Sequence, residues 1–276
     1  MIYMKTKLML IMGMCLLFML AACSSGEKSE EAGAKEANNK EATVETIKDG
    51  KFTFGFSGTY KPFNFEDIDG KLSGFEVELG EALAKEMGLE PNPVATQDFG
   101  ALIEEVNSGR LDAIMGSMTI TEERSEAVDF SDPYYRSGGV IYVHKSNNGI
   151  KSTDDLKGKN VGVIASSTHE ETALKYISED TLATYSSDII ALQDLAAGTG
   201  RLDAAIVDKF VGHLQIEDGM KIKPVGDRLF DENIGAGVKK GNKQLLDEIN
   251  RALAAVIENG TYDEISNKWF GENILE

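Results

Sequence analysis

Residues 111–135 read LDAIMGSMTITEERSEAVDFSDPYY, and the first half of that stretch decides what kind of fold the chain builds. Leu111, Ala113, Ile114 and Met115 make a short apolar run of the sort that becomes a buried strand. It gives way to Gly116-Ser117-Met118-Thr119, small or hydroxyl-bearing residues that let a ligand approach the backbone. A helix start follows. Thr121 fits the N-cap with Glu122 and Glu123 in the first turn, while Thr119 with Glu122 three residues on fits a capping box, so two starts are open. From either start, unpaired backbone N–H groups, hydroxyls and the Arg124 guanidinium converge just past the end of a strand. That is the chemistry of an anion seat: a helix N-terminus supplies donors and partial positive charge, and a guanidinium grips a carboxylate through two parallel bonds. The plainer alternative is a capped turn with Arg124 paired to Glu122 or Glu126.

Upstream, residues 51–56 (KFTFGF) alternate as a strand does and stop at Ser57-Gly58, ahead of an aromatic-rich segment, residues 59–65 (TYKPFNF). Phe75, Leu79, Ala82, Leu83 and Met87 then fall at helical spacing with Gly88 as the stop. A strand near Pro93-Val94 precedes a second helix, with Phe99, Leu102, Ile103 and Val106 on one face and Gly109 at its end. Together with the strand at 111–115 this is a β-α-β-α-β unit, whose parallel strands put their carboxyl ends along one edge.

Downstream the plan repeats. Residues 109–113 (GRLDA) recur as residues 200–204 (GRLDA), each copy following a helical pattern and opening an apolar run. Residues 160–168 (NVGVIASST) parallel the first strand and its Ser57-Gly58-Thr59. Two similar α/β lobes are therefore expected. Residues 138–144 (GGVIYVH) read as a strand leaving the first lobe and residues 233–238 (NIGAGV) as one returning, so the second lobe is an insertion: lobe 1 spans 46–137 plus 233–276, lobe 2 spans 138–232. A strongly periodic helix through Leu245, Leu246, Ile249, Leu253, Val256 and Ile257 ends the chain with a shorter one up to Trp269-Phe270.

At 276 residues the chain is long enough for about two domains. Its formal charge is −18, and residues 1–22 hold two lysines and no acid, so the body is more acidic still, which argues against a nucleic-acid partner. Lys5 and Lys7 precede an apolar run from Leu8 to Leu20, and Leu20-Ala21-Ala22-Cys23 puts small residues at a cleavage point, the pattern of a signal peptide over 1–22. The run is short for a membrane span. Residues 24–43 lack an apolar anchor and read as a solvated tether, assigned with Cys23 to 23–45.

The tetrapeptide at Cys23 resembles the lipobox of bacterial lipoproteins, which implies a palmitate-type lipid on Cys23, a membrane anchor and no disulfide in the mature chain. Residues 60–65 (YKPFNF), 70–78, 98–113, 118–124 (MTITEER), 129–135 (DFSDPYY), 155–159 (DLKGK), 259–262 (NGTY) and 268–271 (KWFG), in this order, resemble the extracytoplasmic solute-binding proteins of polar amino-acid ABC importers. The resemblance covers about residues 50–272. It implies a two-lobed periplasmic-binding-protein type II fold with two hinge crossings, a monomer lipid-anchored at the outer face of the cell membrane, and ABC permease and ATPase subunits as partners. By the same resemblance Ser117, Thr119, Arg124 and Thr168 hold the ligand's α-carboxylate, Asp208 takes its α-ammonium, and Tyr60 and Phe99 form aromatic walls. Phe99 also reads as a core residue of its helix and Asp208 as a simple N-cap. Relatives that take basic amino acids have an acid after the first strand where this chain has Ser57, and Ile164 stands where some have a basic residue. A buried cationic side chain needs a partner, so a neutral polar amino acid is expected, cystine and glutamine being candidates, with Glu66 as a substitute acid in a neighbouring loop.

His144, His169 and His213 are far apart in sequence, so no metal or cofactor is expected. No Gly-x-Ser-x-Gly elbow or Walker loop occurs. His169 beside Ser167 is explained by a helix's first turn more cheaply than by nucleophilic catalysis. An extracytoplasmic enzyme of dehydratase type on the same fold is the remaining alternative.

Overall fold

The computed structural model describes residues 44–275. The expected signal segment, Cys23 and nearly all of the tether lie outside the described residues. Two five-stranded sheets organise the rest. In the first, Lys51–Phe56 lies between Glu90–Ala95 and Ala113–Ile114, parallel to both, and helices Phe75–Glu86 and Leu102–Asn107 make the crossovers. In the second, Val161–Ile164 lies parallel between Leu182–Tyr185 and Ala204–Asp208, with Thr168–Ala173 and Asp188–Ala196 as crossovers. Each sheet gains a fourth, antiparallel strand from chain that has just crossed over: Gly237–Lys239 beside Ala113–Ile114, and Gly139–His144 beside Ala204–Asp208. Val128–Phe130 and Ile222–Val225 complete the two edges. The fold is thus a two-lobed α/β architecture in which both lobes follow one plan.

The repeated GRLDA has a packing reason. Asp112 accepts the N–H groups of Ile47 and Thr53 at 2.8 and 2.7 Å, and Asp203 accepts that of Asn160 at 2.9 Å. In each lobe the motif's carboxylate therefore satisfies backbone donors around the start of the central strand, and in the first lobe the Thr53 N–H is one that would otherwise be buried without a partner. The preceding leucine lies over that strand's glycine. A Cβ on Gly55 would come within 2.2 Å of Leu111 Cδ1, and one on Gly162 within 2.7 Å of Leu202 Cδ1.

The two crossings pair with each other, Tyr135–Ser137 running antiparallel to Glu232–Ile234. The returning strand expected over 233–238 is therefore divided between this ribbon and the first sheet. The change of partner falls at Gly235-Ala236, where the Ala236 N–H is taken by Ser131 Oγ at 2.9 Å. Helix Lys243–Glu258 buries Leu245, Ile249, Ala252, Leu253 and Val256, a stripe at helical spacing that packs on Phe75–Glu86. Each large member contributes on the order of 2 kcal/mol. Helix Thr261–Phe270 follows and sends Tyr262 inward to donate to the Tyr134 carbonyl at 2.6 Å.

Candidate functional site

The carboxyl ends of both sheets' central strands face one cleft, as an open α/β sheet requires of its binding crevice. Tyr60, Phe99, Ser117, Thr119, Thr168 and Asp208 line a single cavity there, together with Ser57 and Ile164. Glu66 is exposed and does not line it. Arg124 lines an adjoining recess that shares Phe99 and Ser167 with the cavity.

Thr121, not Thr119, is the helix cap: its hydroxyl accepts the Arg124 N–H at 3.1 Å, and the helix runs Glu122–Ala127. That cap consumes one of the donors which an anion at the helix start would have used. Arg124 is 8% exposed. It donates to the Thr119 carbonyl at 3.1 Å and, across to the other lobe, to the Ser166 carbonyl at 3.2 Å, while its guanidinium lies 5.5 Å from the Phe99 ring centre. Burial lowers its pKa, and the Glu171, Glu232 and Glu123 charges work against that. No carboxylate of the described residues forms an ion pair with it, which leaves a buried cation with donors to spare.

Ser117 is already committed. Its N–H and hydroxyl both donate, at 2.6 and 3.0 Å, to Glu76, a fully buried carboxylate that also accepts from Asn64 and Tyr134. Burial raises the Glu76 pKa, and these bonds oppose the rise. The network ties the aromatic loop, the Ser117 turn and the crossing into one unit, so Ser117 shapes the cavity wall through Glu76. The turn is further held by the Ile120 N–H on the Asn233 carbonyl at 2.9 Å.

That tie brings in a residue that no sequence motif singled out. Glu232, 4% exposed, accepts from the Thr119 hydroxyl at 2.7 Å and the Thr168 hydroxyl at 2.5 Å, and His169 Nε2 lies 3.4 Å from its other oxygen. Burial alone would raise the Glu232 pKa, but the His169 charge and these donors hold it down at about 2. Burial likewise opposes charge on His169, and Glu232 overcomes it, lifting the imidazole to about 9. His169 stands in the first turn of its helix, as expected, and is also a buried, charged residue of the site. The run Asp231-Glu232 ahead of a returning strand was the sole trace of this pair in the sequence.

Asp208, 2% exposed, is both cap and cavity residue. One oxygen accepts the N–H groups of Phe210 and Val211 at 2.7 and 3.3 Å, and the other accepts from the Ser137 hydroxyl. Burial raises its pKa to about 6 against those bonds. Phe99 does both jobs as well, packing with the Leu102 and Val106 cluster while lining the cavity. Among the described residues no group of His, Cys, Asp or Glu is placed to hold a metal ion.

Two lobes joined by a two-stranded ribbon, with hydroxyls, buried charges of both signs and aromatic walls meeting in the cleft, define a solute-binding clamp. The chain matches the family model described as bacterial extracellular solute-binding proteins, family 3, over residues 52–272, and it belongs to that family. It is 36% identical over 239 residues to the L-cystine-binding protein TcyJ of Escherichia coli (strain K12), covering 86% of this chain and 89% of that protein. To the arginine-binding extracellular protein ArtP of Bacillus subtilis (strain 168) it is 34% identical, over 97% of this chain and 98% of the other. Among solved structures, an ancestral arginine-binding protein bound to glutamine superposes with a TM-score of 0.76 at 40% identity, covering 82% of this chain and all of that one. These relatives are named as binding proteins, and this chain is one of them rather than an enzyme.

Proposed function

We propose that this protein captures a polar amino acid between its lobes and delivers it to the permease and ATPase subunits of an ABC importer. The observation that carries the reading is that Thr119, Thr168 and Asp208, from three separate elements, meet in one cavity with the Arg124 guanidinium beside it. On binding, the Thr119 and Thr168 hydroxyls exchange Glu232 for the ligand's α-carboxylate, with Arg124 supplying the opposing charge, and Asp208 accepts its α-ammonium. Tyr60 and Phe99 sandwich the aliphatic part, and Ser57 and Ile164 border the side chain. The cavity measures about 30 Å³, room for roughly two waters, so an amino acid enters only when the lobes part. The lobes are 46–137 plus 233–276 and 138–232, and the antiparallel ribbon is the hinge. A ligand stabilises the closed form because its two charged ends are reached together only there.

The anchor belongs to the same reading. Residues 1–22 direct export, Cys23 takes the lipid, and the tether lets a monomeric clamp reach its permease from the membrane's outer face. Two assays test the function. A thermal-shift screen of amino acids identifies the ligand class, since a ligand bound only by the folded state raises the melting temperature. Calorimetry on Arg124→Ala and Asp208→Ala then tests the roles: each variant is expected to lose at least about 2 kcal/mol of binding, as when one member of a buried charge pair is removed. Unchanged affinity in both would remove this site, and recovery of altered ligand would revive the dehydratase alternative.

A further inference from the structure

We propose that Asp188 is a second cation-binding carboxyl of the cleft and that the ligand carries a cationic group beyond its α-ammonium; this rests on the amino-acid reading above. The argument starts from the carboxylates on the second lobe's side. Glu232 has His169 and two threonine hydroxyls. Asp208 has the Ser137 hydroxyl and two backbone N–H groups. Asp188 has no such set: it is 0% exposed, and neither oxygen makes a hydrogen bond among the described residues. Nor is it the cap of its helix, because the Ser187 hydroxyl takes that place by accepting the Ile190 N–H. A fully buried carboxyl that makes no hydrogen bond is costly even with the His169 charge nearby, and a ligand cation would offset that cost.

Its surroundings say where that partner comes from. Asp188 acts electrostatically on Tyr60, which belongs to the first lobe, and on Tyr142 and His169 of its own. The Tyr60 hydroxyl is close enough to favour the charged form of Asp188 without completing a hydrogen bond to it. Asp188 does not line the cavity itself, but it lies near Tyr60 and His169, which do, and two residues after Ser186, which does as well. In the closed form the ligand's cationic end reaches Asp188 by displacing the Tyr60 hydroxyl. Burial raises the Asp188 pKa to about 7, with His169 lowering it and Asp208 and Glu232 raising it, so the group gives up its proton readily once a cation arrives. The expectation of a neutral ligand rested on Ser57 standing where other chains have an acid. Asp188 supplies that acid from the opposite lobe.

The test pairs cationic probes with neutral ones of similar shape, L-arginine with L-citrulline and L-lysine with L-norleucine, by calorimetry at pH 7. Wild type should bind the cationic member of at least one pair tenfold or more tightly. Asp188→Asn should cut that preference at least tenfold and leave the neutral member's affinity within about twofold. Titrations of wild type in buffers of different ionisation enthalpy give a second readout that needs no variant: more protons should be released by the cationic member than by its neutral partner. Equal affinity within both pairs in wild type, an unchanged preference in Asp188→Asn, or equal proton release would overturn the assignment. Binding of no amino acid at all by wild type would instead overturn the amino-acid reading, and the Asp188 role with it.

Discussion

At the scale of single residues, the repeated GRLDA shows how much a short motif settles. Its leucine fills the space above a central-strand glycine, and its aspartate satisfies backbone donors at that strand's start, in both lobes. Gly55→Ala and Gly162→Ala should therefore each destabilise the fold by about 1–3 kcal/mol through overpacking. Gly55 should be the worse of the two, since its Cβ would meet Leu111 at 2.2 Å against 2.7 Å for the Gly162 pair. Urea unfolding of both variants measures this, and a neutral Gly55→Ala would remove the packing account of the echo. Sequence reasoning saw the repetition but not its cause, because the glycine and leucine that touch are some forty to sixty residues apart.

At the scale of elements, the crossing ribbon does more than join the lobes. Its strand Glu232–Ile234 presents Glu232 to Thr119 on one side and to Thr168 and His169 on the other. Glu232→Gln keeps the shape and removes the charge, which leaves a buried imidazolium without its counter-ion. The expected cost is about 3 kcal/mol or more of stability, together with a fall of the His169 pKa to below its ordinary value, followed by NMR titration of the imidazole. An His169 pKa unmoved from about 9 would show that Glu232 is not what holds its proton. Helices, strands and their order were legible from periodicity and glycine stops. The ribbon was not, because a three-residue strand has no periodicity to read, and its register is set by a partner from the other crossing.

At the scale of the whole molecule, the buried charges give a direction to pH dependence. His169 at about 9, against 6.5 unperturbed, contributes stability that is complete below pH 6.5 and lost as pH rises through 9. Asp188 and Asp208, raised to about 7 and about 6 from 3.8, bind their protons more tightly when folded, so they too favour the fold less as pH rises. Glu232 runs the other way, but its contribution is lost only below about pH 4.5. The ligand-free protein should therefore lose stability steadily from about pH 5 to pH 9, the His169 shift alone accounting for an amount on the order of 3 kcal/mol at one pKa unit per about 1.4 kcal/mol. Scanning calorimetry checks this, and a melting temperature that rises over the same range would contradict it.

The sequence by itself determined the two repeated α/β units, the insertion of one in the other, the strand ends where a crevice must lie, and most of the side chains that line it. Periodicity, capping residues and recurrent motifs are local or nearly so, and one chain suffices to read them. The tertiary structure alone decided that Arg124 stands beside the cavity rather than in it, that Ser117 serves Glu76, that Glu66 is out of reach, and that Glu232 and His169 share the cavity wall with the buried Asp188 close to His169. Charge pairing and desolvation depend on distances between segments far apart in the chain, and no local pattern encodes those distances.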